Sequence, residues 1–227
     1  MNNKITIAVD GFSSTGKSTL AKALAKHLGY VYVDTGAMYR AVALFAMQNG
    51  YIGKDFVDTQ SLINSLPYIK LVFKYNPNLG FSEMYLNGDN VETEIRTIEV
   101  SNYVSKVAGI PEVRSKLVEQ QHEMGKNKGV VMDGRDIGTV VFPEAEIKLF
   151  MTASAHTRAE RRFKELQQKG DQVTFEEVFK NIEDRDYMDT HREDSPLVKA
   201  KDAIEFDNSN ISKEEQFQKA LKLISIK

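Results

Sequence analysis

The stretch Gly11-Phe12-Ser13-Ser14-Thr15-Gly16-Lys17-Ser18 constrains this chain more than any other. It matches G-x-x-x-x-G-K-[ST], a pattern that requires a strand before it and a helix after it. Both neighbours are in place. Lys4 to Asp10 (KITIAVD) is short and β-branched, as a buried strand is, and Lys17 to Leu28 has helical periodicity and stops at Gly29. The glycines let the backbone curl so that consecutive N–H groups face phosphate oxygens. The new helix adds the positive end of its dipole. Lys17 reaches the β- and γ-phosphates, and the Ser18 hydroxyl takes a Mg²⁺ position. A ligand-free glycine turn is the competing reading, and the correct flanking elements weaken it. The motif alone specifies a nucleoside triphosphate; it does not name the reaction.

The elements that follow predict an α/β fold. Tyr30 to Asp34 is a second strand and Ala37 to Gln48 a second helix, so the chain opens strand–helix–strand–helix, the order of a parallel sheet covered by helices. Between about Ile52 and Val91 the pattern breaks. Tyr68 to Lys74 and Phe81 to Leu86 read as a hairpin, and Asn87-Gly88 marks a tight turn before a third short strand. An antiparallel unit inside a parallel chain is an insertion. Helices are then expected at Ile98 to Ala108, Pro111 to Lys126 and Ala155 to Lys169. Another opens on the capping box Thr174 to Glu177 and runs to about His191, and the last opens on Ser212 to Glu215. Val130 to Asp133, Ile147 to Thr152 and Ala203 to Asp207 complete five core strands. The basic helix from Ala155 and the turn Lys169-Gly170-Asp171 carry much charge and little apolar surface, which predicts a mobile segment.

Composition narrows the function classes. The 227 residues suit one α/β enzyme domain with an insertion. Thirty basic residues stand against 32 acidic ones, without the basic excess of a nucleic-acid binder, so anions must be met by locally gathered arginines. The absence of cysteine excludes disulfides, thiolate metal sites and a cysteine nucleophile, and suits a cytoplasmic location. No signal-peptide profile is visible at the N-terminus, and no apolar run approaches the ~20 residues that span a bilayer. No membrane partner is expected.

Two further features carry chemistry. Asp133 ends an apolar strand, where an acid that holds the metal's water ligands belongs; Asp10 is the weaker candidate, and a turn-capping role is the competing reading for Asp133. Arg158, Arg161 and Arg162 share one helix face, and Arg185, Asp189 and Arg192 fall at i, i+4 and i+7. Arginine clusters in a chain with a phosphate loop fit phosphoryl transfer, where spread negative charge must be held; solvated salt-bridged faces are the alternative. A GTPase is disfavoured, because Asn127-Lys128-Gly129-Val130 lacks the aspartate of the guanine-reading N-K-x-D.

Gly11 to Thr19, Asp34-Thr35-Gly36-Ala37-Met38-Tyr39-Arg40, Glu94-Ile95-Arg96-Thr97, Asp133-Gly134-Arg135-Asp136-Ile137-Gly138-Thr139-Val140-Val141-Phe142-Pro143 and Arg185-Asp186 closely resemble the bacterial cytidylate kinase family. The resemblance runs in order to about Asp207. Its one departure is Lys17-Ser18-Thr19, where the family often has Lys-Gly-Thr. The resemblance implies a five-stranded parallel sheet, a helical lid at about 154–190, and a monophosphate-binding region at about 35–108 enlarged by the small β-unit. The core is then about 1–34, 109–153 and 191–227. It implies transfer of phosphate from ATP to CMP or dCMP with Mg²⁺, in a monomer. ATP is assigned to Gly11, Phe12, Ser13, Ser14, Thr15, Gly16, Lys17, Ser18 and Thr19, and the metal to Ser18 and, through water, Asp133. Thr35, Arg40, Ser105, Arg114, Arg135, Asp136, Arg185, Asp189 and Arg192 align with positions that hold the monophosphate. Lys17, Arg158, Arg162 and Arg185 are the expected catalytic set.

The acceptor is already a phosphate oxygen, so no covalent nucleophile or general base is needed, and catalysis reduces to in-line positioning and charge neutralisation. Asp136 could accept from cytosine N4, with Arg114 and Ser105 donating to N3 and O2. A UMP, shikimate or gluconate kinase and a non-enzymatic nucleotide-binding module remain alternatives. A kinase of the shikimate or gluconate type would lack Asp133-Gly134-Arg135-Asp136 and the inserted hairpin; the module would not need the acceptor arginines.

Overall fold

A computed structural model describes residues 4–225. They divide into two compact units, one running to Val33 and resuming at Gly125, the other Asp34–Met124.

The first unit is built on β1 (Thr6–Gly11), whose six residues are all buried. It is flanked on one side by β6 (Val130–Gly134) and on the other by β7 (Ile147–Thr152), both parallel to it, with Ile7 opposite Val131 and Ile147. β8 (Ile204–Asp207) extends the sheet beyond β7, and β2 (Val31–Asp34) extends it beyond β6. The order β2-β6-β1-β7-β8 is the expected five-stranded parallel sheet. Central strands buried on both faces must be apolar throughout, which is why β1 and β6 read as short continuous runs. Helix α1 (Lys17–Leu28) packs Leu20, Ala21 and Leu24 against Ile7, Val9 and Leu149. It ends on Gly29 in the left-handed conformation, whose N–H returns to Ala25 O.

The segment expected to form a lid folds as two helices, α6 (Ala155–Gln168) and α7 (Phe175–His191). Thr174 and Glu177 form the capping box read from the sequence. Contrary to the charge-dominated expectation, these helices share an apolar seam. Phe163, Phe175 and Phe179 meet as rings with centroids 6.0 Å apart, and Ala159, Leu166, Val178 and Ile182 are buried. Leu166, Val178 and Ile182, at about 1.5–3 kcal/mol each, are a substantial anchor. Their spacing was hidden inside runs of charge. Arg192 caps α7 with extended backbone, so the i+7 helical phase expected for it does not hold. The final helix, α8 (Lys213–Ser225), opens on reciprocal bonds between Ser212 and Glu215.

The second unit has its own core. Helix α2 (Thr35–Gln48), the seven-residue α3 (Thr59–Ser65), α4 (Ile98–Ala108) and α5 (Pro111–Gly125) contribute Met38, Val42, Leu62, Val104 and Leu117 to it. The inserted β-unit is a meander of β3 (Leu71–Asn76), β4 (Phe81–Leu86) and β5 (Asp89–Asn90), in antiparallel register with Leu71 opposite Leu86. Leu71, Met84 and Leu86 face the core. The first hairpin strand starts three residues later than the sequence suggests, because Leu66–Tyr68, containing Pro67, forms a 3₁₀ turn.

Candidate active site

The phosphate loop leaves β1 at Gly11, whose φ is 144°. A Cβ there would stand 2.1 Å from the Met151 carbonyl oxygen on β7, so only glycine fits. The loop is tied internally by Thr15 Oγ1 donating to the Phe12 carbonyl at 2.9 Å and Lys17 Nζ to the same oxygen at 3.0 Å. Gly16 caps α1 with no side chain over the helix end, which leaves the first N–H groups facing the loop. Ser18 Oγ donates to Asp133 Oδ2 at 2.9 Å, joining the start of α1 to the end of β6. The other Asp133 oxygen accepts from the Tyr32 hydroxyl at 2.7 Å. A hydroxyl and a carboxylate are hard oxygen donors, the pair a Mg²⁺ ion with most of its coordination supplied by water and phosphate would accept. These residues fit that ion.

Asp10, the weaker metal candidate, has a different task. Its two carboxylate oxygens accept the backbone N–H of Ile137 at 2.8 Å and of Gly138 at 2.7 Å. Those residues begin a π-turn, Ile137–Val141, that the sequence did not suggest. The carboxylate therefore pins the segment after Arg135 and Asp136 to the root of the phosphate loop. Burial pushes its pKa up to about 7, against the pull of the two N–H bonds and of Lys17; the Asp136 charge adds to the rise.

Arg158 and Arg161 of α6 are tied to the loop, directly and through Asn208 respectively, rather than spread over a solvated face. Arg158 is buried. It grips Asp186 with both terminal nitrogens at 3.1 and 2.6 Å, donates through Nε to Ala153 O, and lies 5.2 Å from the Phe12 ring centre. Its Nη1 also stands 3.4 Å from Ser13 O. Arg161 donates to the side chain and the carbonyl of Asn208 at 3.0 and 2.8 Å. Asn208 in turn donates to the Thr15 carbonyl at 2.6 Å and to Gln216 at 2.9 Å. Sequence reasoning missed Asn208; its place just past the last core strand is the only local signal. Arg162 pairs with Glu165 at 2.9 Å. A cavity of about 780 Å³ opens beside the loop, lined by Gly16, Thr19, Arg161, Arg162, Asn208 and Ile211 among others. That volume suits a nucleoside.

The acidic and basic residues of α7 form a second cluster. Arg135 Nε donates to Asp189 Oδ2 at 2.8 Å, with both side chains largely buried. Burial alone would raise the Asp189 carboxyl, but the charges of Arg135, Arg185 and Arg192 outweigh it and hold it below the usual carboxylate range. Arg192 turns its Nε to the Ser195 carbonyl at 2.8 Å. Asp136 is buried, and its carbonyl accepts the N–H groups of Val140 and Val141.

In the second unit, Asp34 caps α2 by accepting the Ala37 N–H at 2.9 Å. Its other oxygen accepts Arg40 Nη2 and Arg96 Nη2, each at 3.0 Å. Burial would raise this carboxyl, yet the two guanidinium charges hold it far below its ordinary value. Gly36 leaves the space this needs: a Cβ there would meet Arg40 Nη1 at 2.9 Å. Thr35 and Ser105 are buried, and Arg114 is 1% exposed, donating to the Ala108 carbonyl at 3.3 Å and lying 5.7 Å from the centre of the Tyr39 ring. Ser105 and Arg114 are thus not helix-surface residues. A guanidinium and a hydroxyl buried in a small unit carry a desolvation cost that ordinary surface positions avoid.

The sequence-selected residues fall in both units. The first holds Gly11 to Thr19, Asp133, Arg135, Asp136, Arg158, Arg162, Arg185, Asp189 and Arg192; the second holds Thr35, Arg40, Ser105 and Arg114. Comparison with known proteins adds an independent result. The family model described as Cytidylate kinase matches residues 7–226. A cytidylate kinase of Flavobacterium johnsoniae is 73% identical over 222 residues, covering 98% of this chain and 96% of that protein. One of Bacteroides thetaiotaomicron is 55% identical over 213 residues, covering 94% and 93%. Among solved structures, an uncharacterized protein from Eubacterium ventriosum aligns with a TM-score of 0.53 at 11% identity over 99% of both chains, a likeness of fold alone.

Proposed function

The chain belongs to the cytidylate kinase family, and from that premise we propose that it transfers the γ-phosphate of ATP to CMP, giving ADP and CDP, and acts on dCMP in the same way. The observation that carries this reading is a complete phosphate loop, closed by the Ser18–Asp133 bond, in a chain that also keeps Arg40 and Arg135 on buried carboxylates.

The donor is assigned to Gly11 through Thr19, with its nucleoside in the cavity bounded by Arg161, Arg162 and Asn208. The loop N–H groups and the α1 dipole hold the phosphates, and Lys17 follows the charge that moves onto the β–γ bridge oxygen. Ser18 and, through water, Asp133 would hold Mg²⁺, which would supply charge neutralisation on the phosphate oxygens. The acceptor is assigned to Thr35, Arg40, Ser105, Arg114, Arg135, Asp136, Arg185, Asp189 and Arg192. Arg40, Arg135 and Arg192 serve its phosphate; Asp136, Arg114 and Ser105 read the base.

Direct in-line transfer needs no proton acceptor, because the acceptor phosphate is largely ionised near neutral pH. What the protein supplies is placement of two polyanions and compensation of their charge. Arg158 and Arg162, in the lid at about 154–190, contribute cationic charge toward the donor and exclude water that would otherwise hydrolyse ATP. The enzyme works as a cytoplasmic monomer in pyrimidine nucleotide metabolism, with small molecules as its partners. Among the described residues no helix is long and apolar enough to cross a membrane.

A coupled assay of ADP release with CMP, dCMP, UMP, AMP and shikimate, with and without Mg²⁺, tests the reading. Turnover should be greatest with CMP or dCMP and require Mg²⁺. Preference for shikimate, or tight ATP binding with no acceptor-dependent turnover, would discard it.

A further inference from the structure

The Asp34–Arg40 pair does not stand alone. Arg96, 62 residues away from Asp34 in sequence, reaches the carboxylate oxygen that Arg40 also uses. It lies in the 3₁₀ turn Glu94–Arg96, directly after the inserted β-unit. The same guanidinium donates through Nε to Glu92 Oε1 at 2.9 Å, and Glu92 Oε2 accepts the backbone N–H of Met84 on β4 at 3.0 Å. A continuous chain of charged hydrogen bonds thus runs from β4 through Glu92, Arg96 and Asp34 to Arg40, all inside the second unit. The four side chains are between 6% and 26% exposed, so the contacts are weakly screened.

Two consequences follow from electrostatics. A carboxylate facing a single arginine neutralises it and draws it into a two-pronged fork. Here one Asp34 oxygen serves the Ala37 N–H and the other is divided between two guanidinium groups. Arg40 therefore surrenders less of its positive charge to Asp34. Glu92 also fixes the direction from which Arg96 approaches, and so fixes the plane in which Asp34 holds Arg40.

We infer that Arg96, backed by Glu92, is a positioning residue for the acceptor phosphate: it shares Asp34 so that Arg40 is oriented and still charged enough to bind an anion. This rests on Arg40 serving the acceptor phosphate as proposed above. It gives the inserted β-unit a role in the affinity for the monophosphate and none in the affinity for ATP.

A double-mutant cycle tests it, with KM for CMP, KM for ATP and kcat measured for the wild type, Arg40→Ala, Arg96→Met and the double variant. Arg96→Met should raise KM for CMP about tenfold while KM for ATP stays within about twofold, and the rise should vanish in the Arg40→Ala background. Glu92→Gln/Arg96→Met, which removes the stranded acid, should recover thermal stability but not KM for CMP. An unchanged KM for CMP in Arg96→Met, the same rise on top of Arg40→Ala, or full recovery of KM in Glu92→Gln/Arg96→Met would each overturn the inference. If Arg96→Met does not fold, Arg96→Lys keeps the charge and loses the fork; it should raise KM for CMP about threefold or more, and a wild-type value overturns the inference. An Arg40→Ala enzyme with wild-type KM for CMP would instead remove Arg40 from the acceptor site, a separate failure.

Discussion

Ser18 and Asp133 are 115 residues apart in sequence and 2.9 Å apart in space, one on the first turn of α1 and the other near the end of β6. Parallel pairing of β1 with β6 makes this possible, because it brings the phosphate loop and the C-terminal end of β6 to the same edge of the sheet. Tyr32, on the neighbouring strand β2, completes the arrangement by donating to the second Asp133 oxygen. The carboxylate is thus aimed by two hydroxyls. Partners that aim a metal-binding acid typically matter about 10- to 100-fold in metal affinity or activity. Tyr32→Phe is accordingly expected to shift the Mg²⁺ concentration for half-maximal activity upward by about tenfold, with kcat at saturating Mg²⁺ changed little. A Mg²⁺ titration at saturating nucleotides reads this directly. Coincident titration curves for variant and wild type would show that Asp133 needs no such orientation.

Lys17 is the only side-chain cation of the loop itself. Its ammonium is mostly buried against the Phe12 carbonyl, close to where the phosphates are assigned. Lys17→Ala should cost about 10²-fold or more in kcat, with the CD spectrum unchanged, since the lysine supports no part of either core. A folded variant that keeps near-normal turnover would contradict the donor assignment.

Much of this arrangement is legible in the sequence because its signals are local. The phosphate loop, the capping box at Thr174 and the insertion between Ile52 and Val91 each declare themselves within a few residues. Long-range partners do not. Nothing near Asp10 says that it holds Ile137 and Gly138, and nothing near Asn208 says that it holds Thr15. Such bonds depend on strand order, which spacing alone does not encode. The burial of Ser105 and Arg114 was equally hidden, since each sits in a helix of ordinary composition and only the resemblance singled it out. The apolar seam between α6 and α7 escaped for the opposite reason: charge dominates the composition, while three phenylalanines and a few aliphatic residues decide the packing.

The buried carboxyl of Asp10 should leave a mark on stability. Its ordinary value in an unfolded chain is about 3.9, and burial in the folded protein raises it to about 7. Below pH ~4 both states hold the proton and the group costs nothing in linkage. As pH rises from ~4 to ~7 the unfolded chain releases the proton while the folded chain retains it, so stability is lost, by up to about 1.4 kcal/mol per pH unit across that window, and levels off above it. Asp34 and Asp189, whose pKa values are lowered, act in the opposite direction, with stability lost as pH falls, so the Asp10 contribution must be isolated by difference. The unfolding free energy of the wild type minus that of Asp10→Asn should be larger at pH 5 than at pH 8, by a few kcal/mol at most. Urea titrations at the two pH values decide it, and a difference that does not change with pH would mean that Asp10 remains ionised throughout.

Base selection gives the sharpest test of the acceptor assignment. If Asp136 accepts from cytosine N4, Asp136→Asn should do more than weaken binding. An amide can turn its NH₂ toward uracil O4, so the variant should lose efficiency with CMP while losing less, or gaining, with UMP. A site built to hydrogen-bond one donor–acceptor pattern rejects the other strongly, because buried polar groups are left unpaired. Asp136 is itself buried, so its carboxylate sits where that penalty applies. The rival reading is that Asp136 only orients Arg135. Arg135 already has a carboxylate in Asp189 at 2.8 Å, which makes a second one less necessary for that purpose. The two readings separate in the ratio of kcat/KM for CMP to that for UMP, compared between wild type and variant. Base reading predicts that the ratio falls by about tenfold or more. Orientation of Arg135 predicts that both substrates decline by the same factor, since the phosphate is common to them. An unchanged ratio would remove Asp136 from base recognition and leave that task to Arg114 and Ser105.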